Sequence, residues 1–413
     1  MQLKHIGQFL TLSIVVIAII AGVYANELRQ LYRVVNLFND TEIVHNFSNM
    51  HEVMPTKIIK RSGEVRAFKR LPQNLPETFS FRGQKFNLEN YIQDSNSTAL
   101  LVIKDESITF EKYYQGTTEN DLRASWSMAK SYLSAIFGIA VYEGHIPDLN
   151  VAVTDYVPSL KGSGYDGVTI KNVLQMSSGV AFDEDYNDFN SDINRFGRMM
   201  ALGGSFDEFA ATLTSDREQG TYMKYVSIDT HVLGMVLRAA TSKSIEEYLT
   251  QKLWSKMGSE RDGSYLVDGL DEPMVLGGLN ATTRDYARLG VLFRDDGMIK
   301  GEQIVPAQWI KDSITPDAPH LMPGKRDNAQ PVFGYGYQWW IPEHSEQEFF
   351  AMGIYGQYIY INQKTNVVIV KNSANTRFSE NEYESVHKSL AAFRVIALSL
   401  LGKSQEVSAL SMD

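Results

Sequence analysis

Strand-forming sequence in this chain is concentrated at two places far apart along it. From Thr98 to Tyr114, two apolar or alternating runs flank Lys104–Ser107, the pattern of a β-hairpin. From Phe349 to Ile361 and from Val367 to Lys371, two more strands are expected, joined around Asn362–Asn366. The sequence between these regions is helical in pattern: Val168–Met176, Ser205–Leu213, Ser244–Lys256 and Thr282–Phe293 each predict a helix. Ser205 and Ser244 each have a glutamate three residues on, the signature of a capping box. A long amphipathic helix is expected from about Asn381 to Leu401. Strands, a helical middle, strands and a closing helix fit an α+β fold. An antiparallel sheet flanked by helices would carry an inserted, mostly helical region.

Chemistry enters at Ala124–Ser131, where Ser127-x-x-Lys130 precedes an apolar run from Tyr132 to Val141. Serine and lysine three apart share one face of a helix, one turn above the other. A helix starting near Ser127 would leave the Ser127 N–H unpaired at the positive end of the helix dipole. A hydroxyl beside an amine, where developing negative charge is favoured, is the arrangement of a serine nucleophile with a lysine base. The pattern alone is weak: chance supplies it roughly once or twice in a chain of this length. It occurs again at Ser385–Lys388, inside the expected last helix, where it reads as an exposed face. The layout would put the Ser127 helix at the seam between sheet and helical region, a usual place for a cleft.

Composition narrows the chemistry further. The chain has 413 residues, a net charge of −10 and no cysteine. A chain this long could hold two or three domains, although single enzymatic domains of this size are common. With no long basic block, nucleic acid is not an expected partner. The absence of cysteine excludes disulfides, Cys nucleophiles and thiolate metal sites. The eight histidines contain no His-x-x-x-His pair, which argues against a zinc hydrolase. Asp183, Glu184, Asp185 and Asp188 are acidic enough to suggest calcium, but they lack the glycine and terminal glutamate of an EF-hand loop. No metal and no cofactor are expected.

Before the domain, Phe9–Ala21 is nearly unbroken apolar, and Val23-Tyr24-Ala25 offers small or β-branched residues where a signal peptidase reads. Residues 1–25 are therefore expected to be a signal peptide, or a membrane anchor if uncleaved. Either way the chain is expected to be exported, to a periplasm or to the inner membrane held by residues 9–25. Residues 26–90, with Pro55, Pro72, Pro76 and a basic patch at Lys57–Arg61, read as an arm or linker packed loosely on a domain spanning 91–402. A tail follows at 403–413.

Four blocks in order resemble the serine β-lactamase-like family, which includes class C β-lactamases, DD-peptidases, related esterases and 6-aminohexanoate-dimer hydrolases. The resemblance runs over roughly Tyr91–Leu401. Ser127-Met-Ala-Lys130 is similar to the family's first motif. Gly220-Thr221 through Tyr225-Val-Ser227 to Leu233-Gly234 resembles its second block. Gly277-Gly278-Leu279 to Asp285 resembles its helix entry, and Gly334 to Trp339-Trp340 its glycine-tryptophan strand. Two departures place the chain within the family. The second motif reads Tyr-x-Ser where Tyr-x-Asn is usual. The third, usually Lys-Thr-Gly or His-x-Gly, is Ala351-Met352-Gly353, without a cation. These features, with Gly353-x-x-Gly356-Gln357 and the Met176–Tyr186 stretch, are most similar to the nylon-oligomer hydrolase and esterase branch.

The resemblance implies a serine hydrolase acting on a small ester or amide. Ser127 would be the nucleophile, Lys130 the general base, Tyr225 the proton relay and Ser227 a support for either. The oxyanion hole would be the N–H groups of Ser127 and Ile354. Tyr186, Asp185, Gly353 and Gln357 would contact substrate. A β-lactamase or DD-peptidase, and a non-catalytic membrane-tethered binding protein on the same scaffold, are the alternatives. Oligomeric state is left open.

Overall fold

The computed structural model describes residues 31–345, 347–380 and 382–401. The apolar stretch at 9–25 and the tail at 403–413 lie outside them. Twelve strands carry the argument. They are β1 (Thr56–Ile59), β2 (Lys69–Arg70), β3 (Ser97–Lys104), β4 (Ser107–Tyr113), β5 (Arg123–Ala124), β6 (Gly263–Leu266), β7 (Leu279–Ala281), β8 (Gly334–Tyr335), β9 (Trp340–Ile341), β10 (Glu348–Gly353), β11 (Gln357–Asn362) and β12 (Val367–Ser373). Five helices matter most: α1 (Ala129–Tyr142), α2 (Phe206–Ala211), α3 (Ser227–Thr241), α4 (Thr283–Arg294) and α5 (Glu382–Ser399).

The main sheet has eight strands in the order β8-β9-β10-β11-β12-β3-β4-β2. Every neighbouring pair is antiparallel except β2 with β4. The early hairpin and the late strands therefore form one sheet, joined where β12 lies along β3 with Val368 opposite Ile103 and Ile369 opposite Val102. Successive side chains of a strand point to opposite faces, and the core divides accordingly. Leu101, Ile103, Ile359, Val368 and Val370 belong to one apolar cluster, which includes Leu289 and Leu292 of α4. Leu100, Val102, Tyr358, Tyr360 and Ile369 belong to another, with Leu390, Phe393 and Ile396 of α5. Helices on both faces explain why seven of the eight residues of β3 are buried. Close approach of α4 depends on Gly290: a Cβ there would lie 2.5 Å from Val368 Cγ1.

Two helices between open with the serine caps the sequence implied, and α4 opens with a threonine cap. The side chains of Ser205, Ser244 and Thr282 each accept a hydrogen bond from the backbone N–H three residues on. Helix α1 is buried along nearly its whole length and has no polar face, so it forms the centre of the helical region.

Two expectations need correction. The single strand expected over Phe349–Ile361 is two strands, β10 and β11, which pair back on each other with Gly353 opposite Gln357. The chain reverses at Tyr355 (φ 62°) and Gly356 (φ 85°), and the left-handed backbone ends the ladder there. The segment before residue 91, expected as a loose arm, is built into the fold. Leu37, Ile43, Phe47, Met50, Val53 and Ile59 are all buried in the same cluster as α1. Strand β1 pairs with β6 at the edge of a four-stranded sheet ordered β1-β6-β7-β5. No helix among the described residues is long and apolar enough to cross a membrane.

Candidate active site

Ser127 lies in a single tight turn, Trp126–Met128, immediately before α1. The turn and the first residues of α1 meet the end of β10. A Cβ on Gly353 would fall 2.5 Å from the Ser125 carbonyl oxygen and 3.0 Å from the Ser127 nitrogen. Only glycine allows that approach, and it brings the backbone of the β10–β11 turn against Ser127.

Lys130 follows one turn along α1 and is 2% exposed. Its Nζ is 3.1 Å from Ser127 Oγ, 3.3 Å from Ser227 Oγ and 2.6 Å from the Leu276 carbonyl oxygen. Burial lowers its pKa to about 7, with Glu184 and Asp229 pulling it back up. Ser227, the first residue of α3, is held by a carboxylate. Its backbone N–H donates to Glu184 Oε2 at 3.0 Å, and its hydroxyl donates to Glu184 Oε1 at 2.5 Å. Tyr186 Oη also donates to Glu184 Oε1, at 2.9 Å. Burial raises the Glu184 pKa, against the Lys130 charge and the hydrogen bonds from Ser227 and Tyr186.

These partners determine what a neutral Lys130 can do. The Leu276 carbonyl can only accept. Ser227 has committed its proton to Glu184, so towards Lys130 it also accepts. A neutral amine has two N–H donors and one lone pair. With both donors so engaged, the lone pair is left for the Ser127 hydroxyl.

Tyr225 approaches from the loop before α3. Its ring lies 5.2 Å from Lys130 Nζ and stacks on Trp340 at 5.2 Å with 24° between the planes. Ser127, Tyr225, Trp340, Gly353 and Ile354 all line one cleft of about 710 Å³, whose other walls include Asp185, Tyr186 and Phe378. Trp339 turns the opposite way, into the core against Phe293 at 4.5 Å.

The structure thus brings together Ser127, Lys130, Ser227, Tyr225, Gly353 and Ile354, and places Tyr186 and Asp185 on the cleft wall. It does not bring Gln357. That side chain is 1% exposed; its amide donates to the Ser373 carbonyl at 2.6 Å and its carbonyl accepts from the Ser373 N–H at 3.2 Å. Gln357 pins β11 to β12 and has no free group for substrate. The second Ser-x-x-Lys is split rather than simply exposed. Ser385 borders the cleft, while Lys388 lies over the Phe86 ring at 3.6 Å.

The acidic loop is largely self-capped: the carboxylates of Asp183, Asp185 and Asp188 accept from the backbone N–H two residues ahead. Among the described residues, no group of three or more acidic or histidine side chains is arranged to hold a metal. Sequence reasoning missed Glu184 as a site residue, because its partner lies 43 positions away and no local pattern couples them.

A family model described as Beta-lactamase matches residues 87–391. A 6-aminohexanoate-dimer hydrolase of Paenarthrobacter ureafaciens is 29% identical over 350 residues, covering 81% of this chain and 86% of its own. A candidate 6-aminohexanoate-dimer hydrolase from Bacillus anthracis superposes with a TM-score of 0.79 at 25% identity, over 88% of this chain and 96% of its own. A penicillin-binding protein from Bacillus halodurans shares the fold at a TM-score of 0.57 and 15% identity, over 74% of this chain and 99% of its own.

Proposed function

The chain belongs to the Beta-lactamase family and is a serine hydrolase, and we propose that it cleaves a small ester or linear amide through an acyl-enzyme on Ser127. The arrangement around Lys130 carries this reading, since it leaves the amine lone pair no acceptable proton but that of Ser127. Lys130 takes the proton as Ser127 Oγ bonds to the substrate carbonyl carbon. The carbonyl oxygen becomes an oxyanion between the N–H groups of Ser127 and Ile354; losing one such donor costs about 10²–10³ in rate. The proton passes by way of Tyr225 to the leaving nitrogen or oxygen as its bond to carbon breaks. Water then attacks the acyl-enzyme, gives a proton to Lys130, and releases the acid with Ser127 regenerated. Tyr186 and Asp185, which line the cleft, would contact substrate.

The likeness to 6-aminohexanoate-dimer hydrolases supports an amide or ester over a β-lactam. So does the uncharged Ala351-Met352-Gly353 strand end beside Ser127. The apolar run at 9–21 supports export of the enzyme. The test is a fluorophosphonate probe with a panel of p-nitrophenyl esters, linear amides and a chromogenic cephalosporin. Labelling lost in Ser127→Ala and kept in Ser385→Ala is expected, with ester or amide turnover above cephalosporin turnover. No labelling and no turnover would sink the enzyme reading. Fast cephalosporin turnover would reverse the order of substrates.

A further inference from the structure

The segment before the catalytic domain reaches the oxyanion turn with two aromatic rings. Phe38 stacks on Tyr355, centroids 5.0 Å apart and planes 13° apart, and lies 5.7 Å from Trp126. Phe47 meets the same two rings edge-on, 5.2 Å from Tyr355 and 5.4 Å from Trp126. Trp126 and Tyr355 are themselves 5.8 Å apart. Their positions in the chain give the cluster its meaning. Trp126 immediately precedes Ser127, and Tyr355 immediately follows Ile354. They are the chain neighbours of the two N–H groups assigned to the oxyanion hole.

Both rings also belong to residues with left-handed backbone, Trp126 at φ 44° and Tyr355 at φ 62°. Bulky side chains adopt that region only where their surroundings hold them there. No hydrogen bond from the described residues holds the Trp126 ring, whose buried Nε1 has no partner among them. Packing holds it, and Phe38 and Phe47 supply much of that packing.

We infer that Phe38 and Phe47 are positioning residues for the oxyanion hole, clamping Trp126 and Tyr355 so that the Ser127 and Ile354 N–H groups converge on one point. The inference rests on the active-site reading above. It gives the early segment a part in catalysis although neither ring touches the reacting atoms. The stack continues to the substrate wall: Tyr355 lies 4.5 Å from Phe378, and Phe378 lies 6.0 Å from Tyr186.

Phe38 is the better probe because it is 44% exposed, whereas Phe47 is 4% exposed and its loss would open the core. The full chain carrying Phe38→Ala, Phe38→Leu or Phe38→Tyr is assayed on a p-nitrophenyl ester. Rates are divided by the sites titrated with fluorophosphonate, so that misfolded enzyme does not count. Phe38→Ala is expected to lower kcat per titrated site by about tenfold to a hundredfold, with KM within about twofold. Phe38→Tyr, which keeps the stacking ring, is expected to restore it. A merely structural role would lower the titre and leave kcat per site unchanged, and that result overturns the inference. Failure of Phe38→Tyr to restore kcat also overturns it. Should Phe38→Ala lose the fold, Phe38→Leu is read in the same way, since it keeps apolar volume without the ring. Absence of Ser127-dependent labelling in the unsubstituted chain would overturn the active-site reading itself, an outcome visible before any Phe38 variant is made.

Discussion

In the proposed mechanism Lys130 must be neutral to act, and burial brings its pKa to about 7. The acylation rate is therefore expected to rise with pH through about 7 and level off above it, read from the pH profile of kcat/KM on an ester. Glu184 raises that pKa by its charge, so Glu184→Gln should move the acid limb to lower pH. It should also lower the plateau by about tenfold, as Ser227 loses its fixed orientation. A second lysine is buried behind the residues that line the cleft. Lys371, 1% exposed, donates to Ser373 Oγ at 2.7 Å, and burial brings its pKa to about 7 as well. The folded form releases this proton at lower pH than the unfolded chain does. Stability therefore rises with pH from about 7 towards the ordinary lysine value. Lys371→Met should raise the melting temperature, and by more at pH 6 than at pH 9; a gain that does not depend on pH would contradict this. Ser127 and Lys130 were legible in the sequence because a helix repeats locally. Glu184, Lys371 and the turned-away Gln357 were not, because strand pairing and long-range contacts decide their surroundings.

Among the elements, the hairpin β3–β4 and the serine-capped helices follow from local pattern, and the structure keeps them. The turn between β10 and β11 does not, since Tyr355 carries no mark of the left-handed backbone it adopts. In the proposed mechanism that turn governs catalysis through Gly353. Gly353→Ala would press a methyl group against the Ser125 carbonyl and the Ser127 nitrogen. A displacement of the oxyanion turn by even 1 Å should cost about a hundredfold in kcat. Circular dichroism should show the fold intact. Gly290→Ala tests a different joint. Pushing α4 off β12 should cost about 1–3 kcal/mol, seen as a lower melting temperature, while kcat at low temperature is kept.

At the scale of the molecule, the boundary drawn at residue 91 is a boundary of motifs and not of packing. The family blocks begin after it, but Ile43, Phe47, Met50 and Ile59 bury themselves with α1. They were illegible because short helices and a four-residue strand give no sustained period. A chain beginning at residue 91 should therefore lose its cooperative thermal transition and its fluorophosphonate labelling. The joint of β12 with β3 has a further consequence, in the order of synthesis. The hairpin is complete at Tyr113, but the strand that covers its apolar edge begins only at Val367. Gly353 and Ile354 come nearly as late. A nascent chain can thus fold its helical region while the ribosome is still working, yet it carries an open sheet edge and an unfinished oxyanion hole. In the proposed mechanism, hydrolysis can begin only after the β10–β11 turn has been made. Until β12 is made, the apolar edge of β3 is open to pairing with other chains.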